Sequence, residues 1–497
     1  MTVCRRPGRL DRALETANAA LNNRARIEGE MDFDALLLSR LQFAFTLAFH
    51  IIFPAFTIGL ASFLAVLEGL WLATRNEAFR NLYLFWLKIF AISFGMGVVS
   101  GVVISYEIGT NWSAFAALAA PVIGPAFAFE VLTAFFLESS FLGVMLFGWR
   151  KVGPGLHFAA TVLVALGTLT SAFWIISANS WMQHPAGYVR LANGALRATD
   201  WMAVIFSPTF PYRFVHMVLA AYLSTALMVG AASAWRLLRD VEEGESCLGL
   251  KMAIGMLALV APLQLVVGDL SGKQVLVVQP AKLAAIEAFW ESRSEQPFHI
   301  AAWPDRAQEM NHLTVEVPEL GSWIAAGDAH AFIRGLKSFP RDDRPPVFIV
   351  FWAFRIMVGL GLLMIALGFW GGYLTSRGAP ERHRVFLRAC VLMGPAGFIS
   401  VIAGWVVAEV GRQPYTIYGV LRTAQSASPV TAAEVSLSLL AFLVIYAIVF
   451  SVGALYILRL VAEGPVPAPH ADTEPPLRGR PPGYALAAAP DEPEPVP

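Results

Sequence analysis

The side chains best suited to metal or proton chemistry in this sequence interrupt long apolar stretches. Each ionisable group in such a stretch costs roughly 2–3 kcal/mol on membrane-insertion scales, so each is a candidate functional residue. Histidine and methionine are also axial ligands of haem iron, and buried carboxylates can carry protons. The candidates are few: His50, Glu107, Glu130, Glu138, His216, Arg355, Glu409 and the thioether Met357.

Four of these candidates are predicted to lie at one depth in the membrane. His50 and His216 come early in spans that enter from the outer side, and Met357 and Glu409 lie in the outer parts of two other spans. A His/Met pair makes a six-coordinate, low-spin haem iron, and His216 and Met357 form such a pair. His50 and Glu409 can each hold a five-coordinate iron. For any one of these residues alone, packing or a hydrogen bond is the alternative role.

Two carboxylates share the third predicted span. Glu130 and Glu138 are eight residues apart, which in an ideal α-helix separates them by about 80° around the axis and about 12 Å along it. We expect them to carry protons from the cytoplasm toward the outer layer. The alternative is a pair of glutamates that hydrogen-bond between helices.

A third group of candidates lies at the end of the eighth predicted span. Trp405, Glu409 and Arg412 are spaced by four and three residues, which places them on one helical face. Arg412 can neutralise a haem propionate or the Glu409 carboxylate, and Arg355 beside Met357 is a second candidate for a propionate.

The elements that position these residues are membrane helices. Apolar residues make up 57% of the chain and charged residues 14%, and the mean hydropathy is +0.59. A bilayer core of roughly 30 Å needs about 20 apolar residues per helical crossing. The formal charge is zero, so no nucleic-acid partner is indicated. The predicted spans are nine: 43–72, 83–109, 124–149, 157–180, 213–236, 250–268, 347–373, 388–409 and 434–458.

Lysine and arginine in the short loops predict the orientation. The loops after the first, third, fifth and seventh spans are basic, whereas the loop after the second span has no lysine or arginine. Basic loops stay in the cytoplasm, so the N-terminus and the long polar segment 269–346 are predicted outside, and the C-terminus inside.

Segments outside the spans differ in composition. Residues 1–30 contain six arginines and no apolar signal core, so we expect either a misassigned leader before a true start at Met31 or a disordered basic arm. Spans 1–6 fall within 31–268 and spans 7–9 within 347–460. Residues 461–497 are rich in proline and are predicted to be a disordered cytoplasmic tail.

Several motifs resemble subunit I of the cytochrome bd-type quinol oxidases, in colinear order over about residues 33–460. They include SRLQFAFTLAFH (39–50), FGMGVVSG (94–101), GTNW (109–112), FFLESSFLG (135–143) and ANSWMQHP (178–185). Others are FVH (214–216), KLAAIEAFWE (282–291), FRIMV (354–358) and GWVVAEVGRQPY (404–415). KLAAIE and GWxVAExGRQP are specific to that family. The resemblance implies an all-α integral membrane protein of about nine transmembrane helices. It also implies haem sites near the outer side and a periplasmic Q loop between helices 6 and 7.

The resemblance also implies roles for single residues. His216 and Met357 match the ligands of a low-spin haem b, and His50 and Glu409 match ligands of a high-spin haem b and an oxygen-reducing haem d, in an order that stays open. Other matches concern the quinol site and proton delivery. Lys282 and Glu287 match quinol-site residues of the Q loop, and Glu130 and Glu138 match proton-delivery carboxylates. Residues that match those that stabilise haems or mediate electron transfer are Arg355, Trp405 and Arg412.

Two departures from the family pattern bear on the oxygen site. The 269–346 loop is short, as in the so-called cyanide-insensitive members, and Tyr415 stands where many members have tryptophan. Some short-loop members carry a b-type haem in place of haem d, so the implied cofactors are two haem b plus haem d or a third haem b, with no copper.

The implied protein is the catalytic subunit of an electrogenic terminal oxidase in the bacterial cytoplasmic membrane. It oxidises ubiquinol or menaquinol at the outer face and reduces O2 to water with cytoplasmic protons, so it generates proton motive force without pumping. Its expected partners are a second membrane subunit, subunit II, and in some cases a small single-span subunit.

Three other classes are less consistent with the sequence. A haem-copper oxidase or a cytochrome b of another complex needs more intramembrane histidines than His50 and His216. A secondary transporter predicts inverted repeats and helices broken at the midplane, and we find no internal repeat. A partner subunit without haem does not explain the ordered set of ligands.

Overall fold

The computed structural model describes residues 9–239 and 244–465, with side chains from residue 35 onward. In this part of the chain, nine helical segments are long and apolar enough to cross a membrane: Ala35–Thr74, Glu77–Thr110, Ser113–Phe147, Pro154–Gln183, Phe210–Leu238, Gly244–Val278, Arg341–Ser376, Arg384–Val410 and Ala432–Glu463. Each predicted span overlaps one of them in order. The prediction of a nine-span, all-α membrane protein is therefore confirmed.

Fourteen α-helices are described along the chain. They are α1 (Arg9–Thr74), α2 (Glu77–Thr110), α3 (Ser113–Glu130), α4 (Phe136–Phe147), α5 (Pro154–Gln183), α6 (Trp201–Ile205), α7 (Phe210–Leu238), α8 (Gly244–Val278), α9 (Pro280–Glu287), α10 (Leu320–Ala326), α11 (Val347–Ser376), α12 (Arg384–Met393), α13 (Ala396–Val410) and α14 (Ala432–Glu463). A five-residue π-helical turn, Val131–Phe135, joins α3 to α4 within the third span.

Three antiparallel hairpins lie between the helices: β1 (Tyr188–Arg190) with β2 (Leu196–Ala198), β3 (Phe298–Asp305) with β4 (Met310–Val317), and β5 (Tyr415–Ile417) with β6 (Leu421–Arg422). Local sequence explains several helix starts. Thr431 and Glu434 form a capping box at α14, and proline occupies the first turn of α5, α7 and α9.

The segment between the sixth and seventh spans is ordered. Helix α8 continues to Val278, ten residues beyond the predicted end of its span at residue 268. It is followed by α9, the β3–β4 hairpin and α10. Every residue from Ala281 to Glu287 in α9 is buried, so the helix that carries Lys282 and Glu287 packs into the protein.

A hydrophobic core packs several helices of the bundle together. Leu60, Leu64, Trp86 and Phe90 are almost fully buried in a single cluster formed by α1, α2 and their neighbours. The polar candidates of α1, α7, α11 and α13 lie elsewhere along these helices. Burial of this apolar core stabilises the packing of the helices on which the polar candidates lie.

Candidate functional site

Three of the predicted iron ligands each face a glycine on a neighbouring helix. A Cβ atom built on Gly101 would lie 3.2 Å from Cε1 of His50, and one on Gly268 would lie 3.3 Å from Cε1 of His216. A Cβ atom on Gly404 would lie 3.0 Å from Sδ of Met357. These helices approach closely only because the glycines lack side chains, so each ligand candidate has space that a larger residue would fill.

Hydrogen bonds orient the two histidine rings. His50 Nδ1 lies 2.9 Å from Ser100 Oγ, and His216 Nε2 lies 3.2 Å from the side-chain nitrogen of Gln264. His216 Nδ1 is buried and has no partner among the described residues. Such contacts set ring orientation at metal sites.

The helices that carry the predicted ligands share neighbours. Helices α7 and α11, which hold His216 and Met357, both pack against α8 and α13, and α13 ends with Glu409. Trp405 packs beside the Ile51–Ala55 cluster of α1, next to His50 along the chain. The ligand candidates therefore belong to one connected group of helices.

Among the residues that the structure describes, Glu409 is the only carboxylate of a polar cluster where α5, α7 and α13 meet. Its Oε1 accepts hydrogen bonds from Asn179 (3.0 Å) and Gln183 (3.3 Å), and its Oε2 pairs with Arg412. Arg213 donates to Asn179 Oδ1 at 2.5 Å. The ends of α5 and α13 and the start of α7 thus meet at one level, as expected for helices of alternating direction.

Two guanidinium groups surround this single carboxylate, and their donors are not all used. Arg213 Nη1 and the Nε and Nη1 of Arg412 are buried without a hydrogen-bond partner in the described part of the chain. Buried charged donors that lack an acceptor are costly, so this cluster suits an additional anion. The two propionates of a haem are such an anion, and the residues therefore fit the cofactor that the ligand set implies.

Lys282 joins the loop between the sixth and seventh spans to the same cluster. Its Nζ donates to Gln183 Oε1 at 2.5 Å, and Gln279 donates to the Gln183 carbonyl at 2.5 Å. Burial, together with the positive charges of Arg213 and Arg412, holds the pKa of Lys282 well below its usual range. A lysine amine of this kind can accept a proton from a bound hydroxyl group.

Glu287 pairs with Arg355. Arg355 Nη2 donates to Glu287 Oε2 at 2.7 Å, and its Nε donates to the carbonyl of His299 at 2.8 Å. The guanidinium also lies over the rings of Phe351 and Phe298. Arg355 was predicted to neutralise a propionate, but its described contacts bind it to the loop carboxylate.

The two carboxylates of the third span both face α5. Glu130 accepts a hydrogen bond from Ser171 at 2.8 Å. Glu138 is buried against Gly167, and its Oε1 has no partner among the described residues. The π-helical turn lies between them, so the 80° separation calculated for an ideal α-helix is wrong. Such turns occur often at functional sites.

Sequence reasoning missed several members of these clusters. Arg213 lies at the edge of the predicted fifth span, and Asn179 and Gln183 are uncharged, so a search for charges within spans does not find them. Glu68 is inside the first span and should have been found by that search. It pairs with His157 at 2.6 Å, away from the predicted ligands along α1.

The fold and the site define an integral membrane protein that can hold an anionic, iron-bearing cofactor beside a buried loop helix. The chain belongs to a known family of that class: the model of cytochrome bd terminal oxidase subunit I matches residues 38–465. The resemblance to this family is confirmed.

Individual relatives agree. The chain is 32% identical to the cytochrome bd-II ubiquinol oxidase subunit 1 of Escherichia coli (strain K12), over 87% of this chain and 97% of the relative. It is 35% identical to the cytochrome bd ubiquinol oxidase subunit 1 of Bacillus subtilis (strain 168), over 86% and 93%. The bd oxidase structure from Geobacillus thermodenitrificans matches 87% of this chain and 99% of its own, at 29% identity and a TM-score of 0.81.

Membership in the family makes this chain subunit I of a terminal oxidase, a multi-pass protein of a bacterial respiratory complex with haem cofactors and a second subunit. The predicted enzyme class, a quinol oxidase, agrees with the names of both curated relatives.

Proposed function

We propose that this subunit oxidises quinol at the outer membrane face and reduces O2 to water. The residues that would hold the cofactors are His216 and Met357 for a low-spin haem b, and His50 and Glu409 for two further haems. These are a high-spin haem b and either haem d or another haem b, without copper. When bound, the haems supply the electron path from quinol to O2.

The observation that carries this proposal is the pair of buried guanidinium groups with unused donors around Glu409. Arg213 and Arg412 would bind propionates and so orient the porphyrins. Glu409 is held by Asn179, Gln183 and Arg412 in the structure, and a ligating role requires it to give up at least one of these contacts. Trp405 would pack between the helices of His50 and Glu409.

The quinol site comprises Lys282 and Glu287 of α9. Lys282, whose pKa is lowered by burial and neighbouring arginines, accepts one proton from the quinol hydroxyl group. Glu287, fixed by Arg355, accepts the other or positions the second hydroxyl group. The segment 269–346 is the periplasmic Q loop in this proposal, so both protons are released outside.

Protons for oxygen reduction come from the cytoplasm through Glu138 and Glu130. Ser171 holds one oxygen of Glu130, and Glu138 Oε1 is free among the described residues to exchange hydrogen bonds. Because the two half-reactions use opposite sides, charge separates without a pump. This requires the N-terminus outside and the C-terminus in the cytoplasm, as the basic loops predict.

The proposal also covers the domain organisation and the partners. Spans 1–6 (31–268) and 7–9 (347–460) form the bundle, and the partners are subunit II, in some complexes a small single-span subunit, and ubiquinol or menaquinol. No nucleic acid takes part. The predictions for residues 1–30 and for nearly all of 461–497 lie outside the residues whose side chains the structure describes.

A reduced-minus-oxidised spectrum of the purified complex tests the proposal. We expect a low-spin b-type signal that Met357→Leu abolishes, because leucine keeps the volume and lacks the sulfur. Met364→Leu, a buried methionine two turns along the same helix, is the matched control and should keep the signal. Wild-type protein without haem bands would refute the proposed function, and an unchanged Met357→Leu spectrum would refute that ligand.

A further inference from the structure

A stripe of buried polar side chains runs along α1 from Ser39 to His50. Ser39, Gln42, Thr46 and His50 are spaced by three, four and four residues, which places them on one helical face. The first three are 0–1% exposed although they lie in an apolar span. Further along, most core residues of this helix are apolar, as Leu60 and Leu64 show, and the buried Glu68 is paired with His157. The stripe therefore connects the Ala35 end of the span with the His50 region.

The neighbouring helices add polar groups to this stripe. On α2, Glu107 is fully buried and its Oε2 accepts a hydrogen bond from Thr46 at 2.8 Å. On α14, Ser438 donates to Gln42 Oε1 at 3.1 Å. At the inner end, Ser100 of α2 contacts the ring of His50. Three helices thus turn polar atoms toward one seam.

Several of these atoms lack partners. Ser39 Oγ, Glu107 Oε1 and the hydroxyl group of Tyr446 are buried without a hydrogen-bond partner in the described residues. Tyr446 belongs to α14, and its ring packs against Phe45 and Phe49 of α1. Buried polar groups are normally satisfied by protein or by ordered water, and an unpaired one in a membrane interior costs several kcal/mol. A row of such atoms suits a chain of water molecules.

We propose that this seam is the path by which product water leaves the His50 haem site for the outer surface. The inference rests on the proposed function and orientation, and it takes His50 as the residue that holds the oxygen-reducing haem. Reduction of one O2 with four electrons and four protons forms two water molecules, which must leave the interior of the protein. The groups along the seam both donate and accept hydrogen bonds, as passing water requires.

X-ray hydroxyl-radical footprinting of the purified complex in H2(18)O tests the water directly, and it does not depend on turnover. Tyr446 and Tyr83 form a matched pair, since both tyrosines are buried, at 2% and 0% exposure. The Tyr83 hydroxyl group contacts Thr161 at 3.1 Å, whereas that of Tyr446 has no described partner. We expect Tyr446 to be oxidised at least tenfold faster than Tyr83 and to incorporate 18O from bulk water within milliseconds of mixing.

Thr46→Val keeps the shape of the side chain and removes the hydroxyl group, so it should lower Tyr446 oxidation at least threefold. Thr161→Val, the same change in another fully buried cluster, should leave it unchanged. Equal oxidation of Tyr446 and Tyr83 in wild-type protein would overturn the proposal. The polar side chains of the seam would then only form hydrogen bonds between helices, without water. The haem spectrum of each sample is recorded as well. A protein that contains haem but shows no preferential oxidation of Tyr446 contradicts only the water path, whereas a protein without haem contradicts the proposed function.

Discussion

Replacing Gly404 by alanine should remove the thioether of Met357 from its predicted iron. The new methyl group would lie 3.0 Å from Sδ, so the sulfur would have to move by a few tenths of an ångström. Metal–ligand distances are held within about 0.2 Å, so a sulfur displaced by this amount no longer binds iron. Alanine is favoured over glycine within a helix by about 0.5–1 kcal/mol, so the protein should still fold and insert.

The assay is the low-spin signal of the reduced complex, normalised to total haem. We expect Gly404→Ala to lose most of this signal, as Met357→Leu does, and to retain the other haem bands. Gly359→Ala is the control, because Gly359 lies two residues beyond Met357 and no atom is within 4 Å of its added Cβ. A full low-spin signal in Gly404→Ala, or equal losses in both alanine variants, would refute the assignment of Met357.

Three other substitutions test the charged groups. His157→Ala leaves the buried Glu68 with the Thr161 hydroxyl group but without the histidine, so we expect a loss of about 3–5 kcal/mol of stability, measured as a lower melting temperature in detergent; an unchanged value would show that the pair is not ionic. Lys282→Met should raise the quinol KM at least tenfold and leave the haem spectrum intact. The fraction of neutral Lys282 amine increases as pH rises through its lowered pKa, so the wild-type rate should increase over the same pH range. A similar increase in Lys282→Met would contradict the role of Lys282 as a proton acceptor. Glu138→Gln should slow O2 turnover by about 10²–10⁴-fold while anaerobic reduction by quinol continues, and equal slowing of both steps would contradict proton delivery.

The spans were predictable because an apolar run of sufficient length has one stable arrangement in a bilayer. The ends of the spans were less predictable. Helix α8 continues to Val278 through Asp269 and Lys273, whose side chains pair at 2.7 Å within the helix. Hydropathy alone ends the span at these charges. A membrane helix can extend beyond the hydrocarbon region when its charged residues pair along one face.

In the candidate site, contacts within one helix were more predictable than contacts between separate elements. Glu409 and Arg412 were expected to interact from their spacing, and they do. Arg355 was assigned to a propionate because of its position beside Met357, yet Glu287, 68 residues earlier in the chain, is its partner. Sequence spacing predicts neighbours within one helix, whereas contacts between a loop helix and a span depend on how the long segment folds back.

The burial of α9 has a consequence for biogenesis. Lys282 and Glu287 reach their partners only after Gln183 of the fourth span and Arg355 of the seventh are both in place. A nascent chain that has inserted only its first six spans has no Arg355 to pair with Glu287. The proposed quinol site is therefore complete only in subunits whose seventh span is inserted.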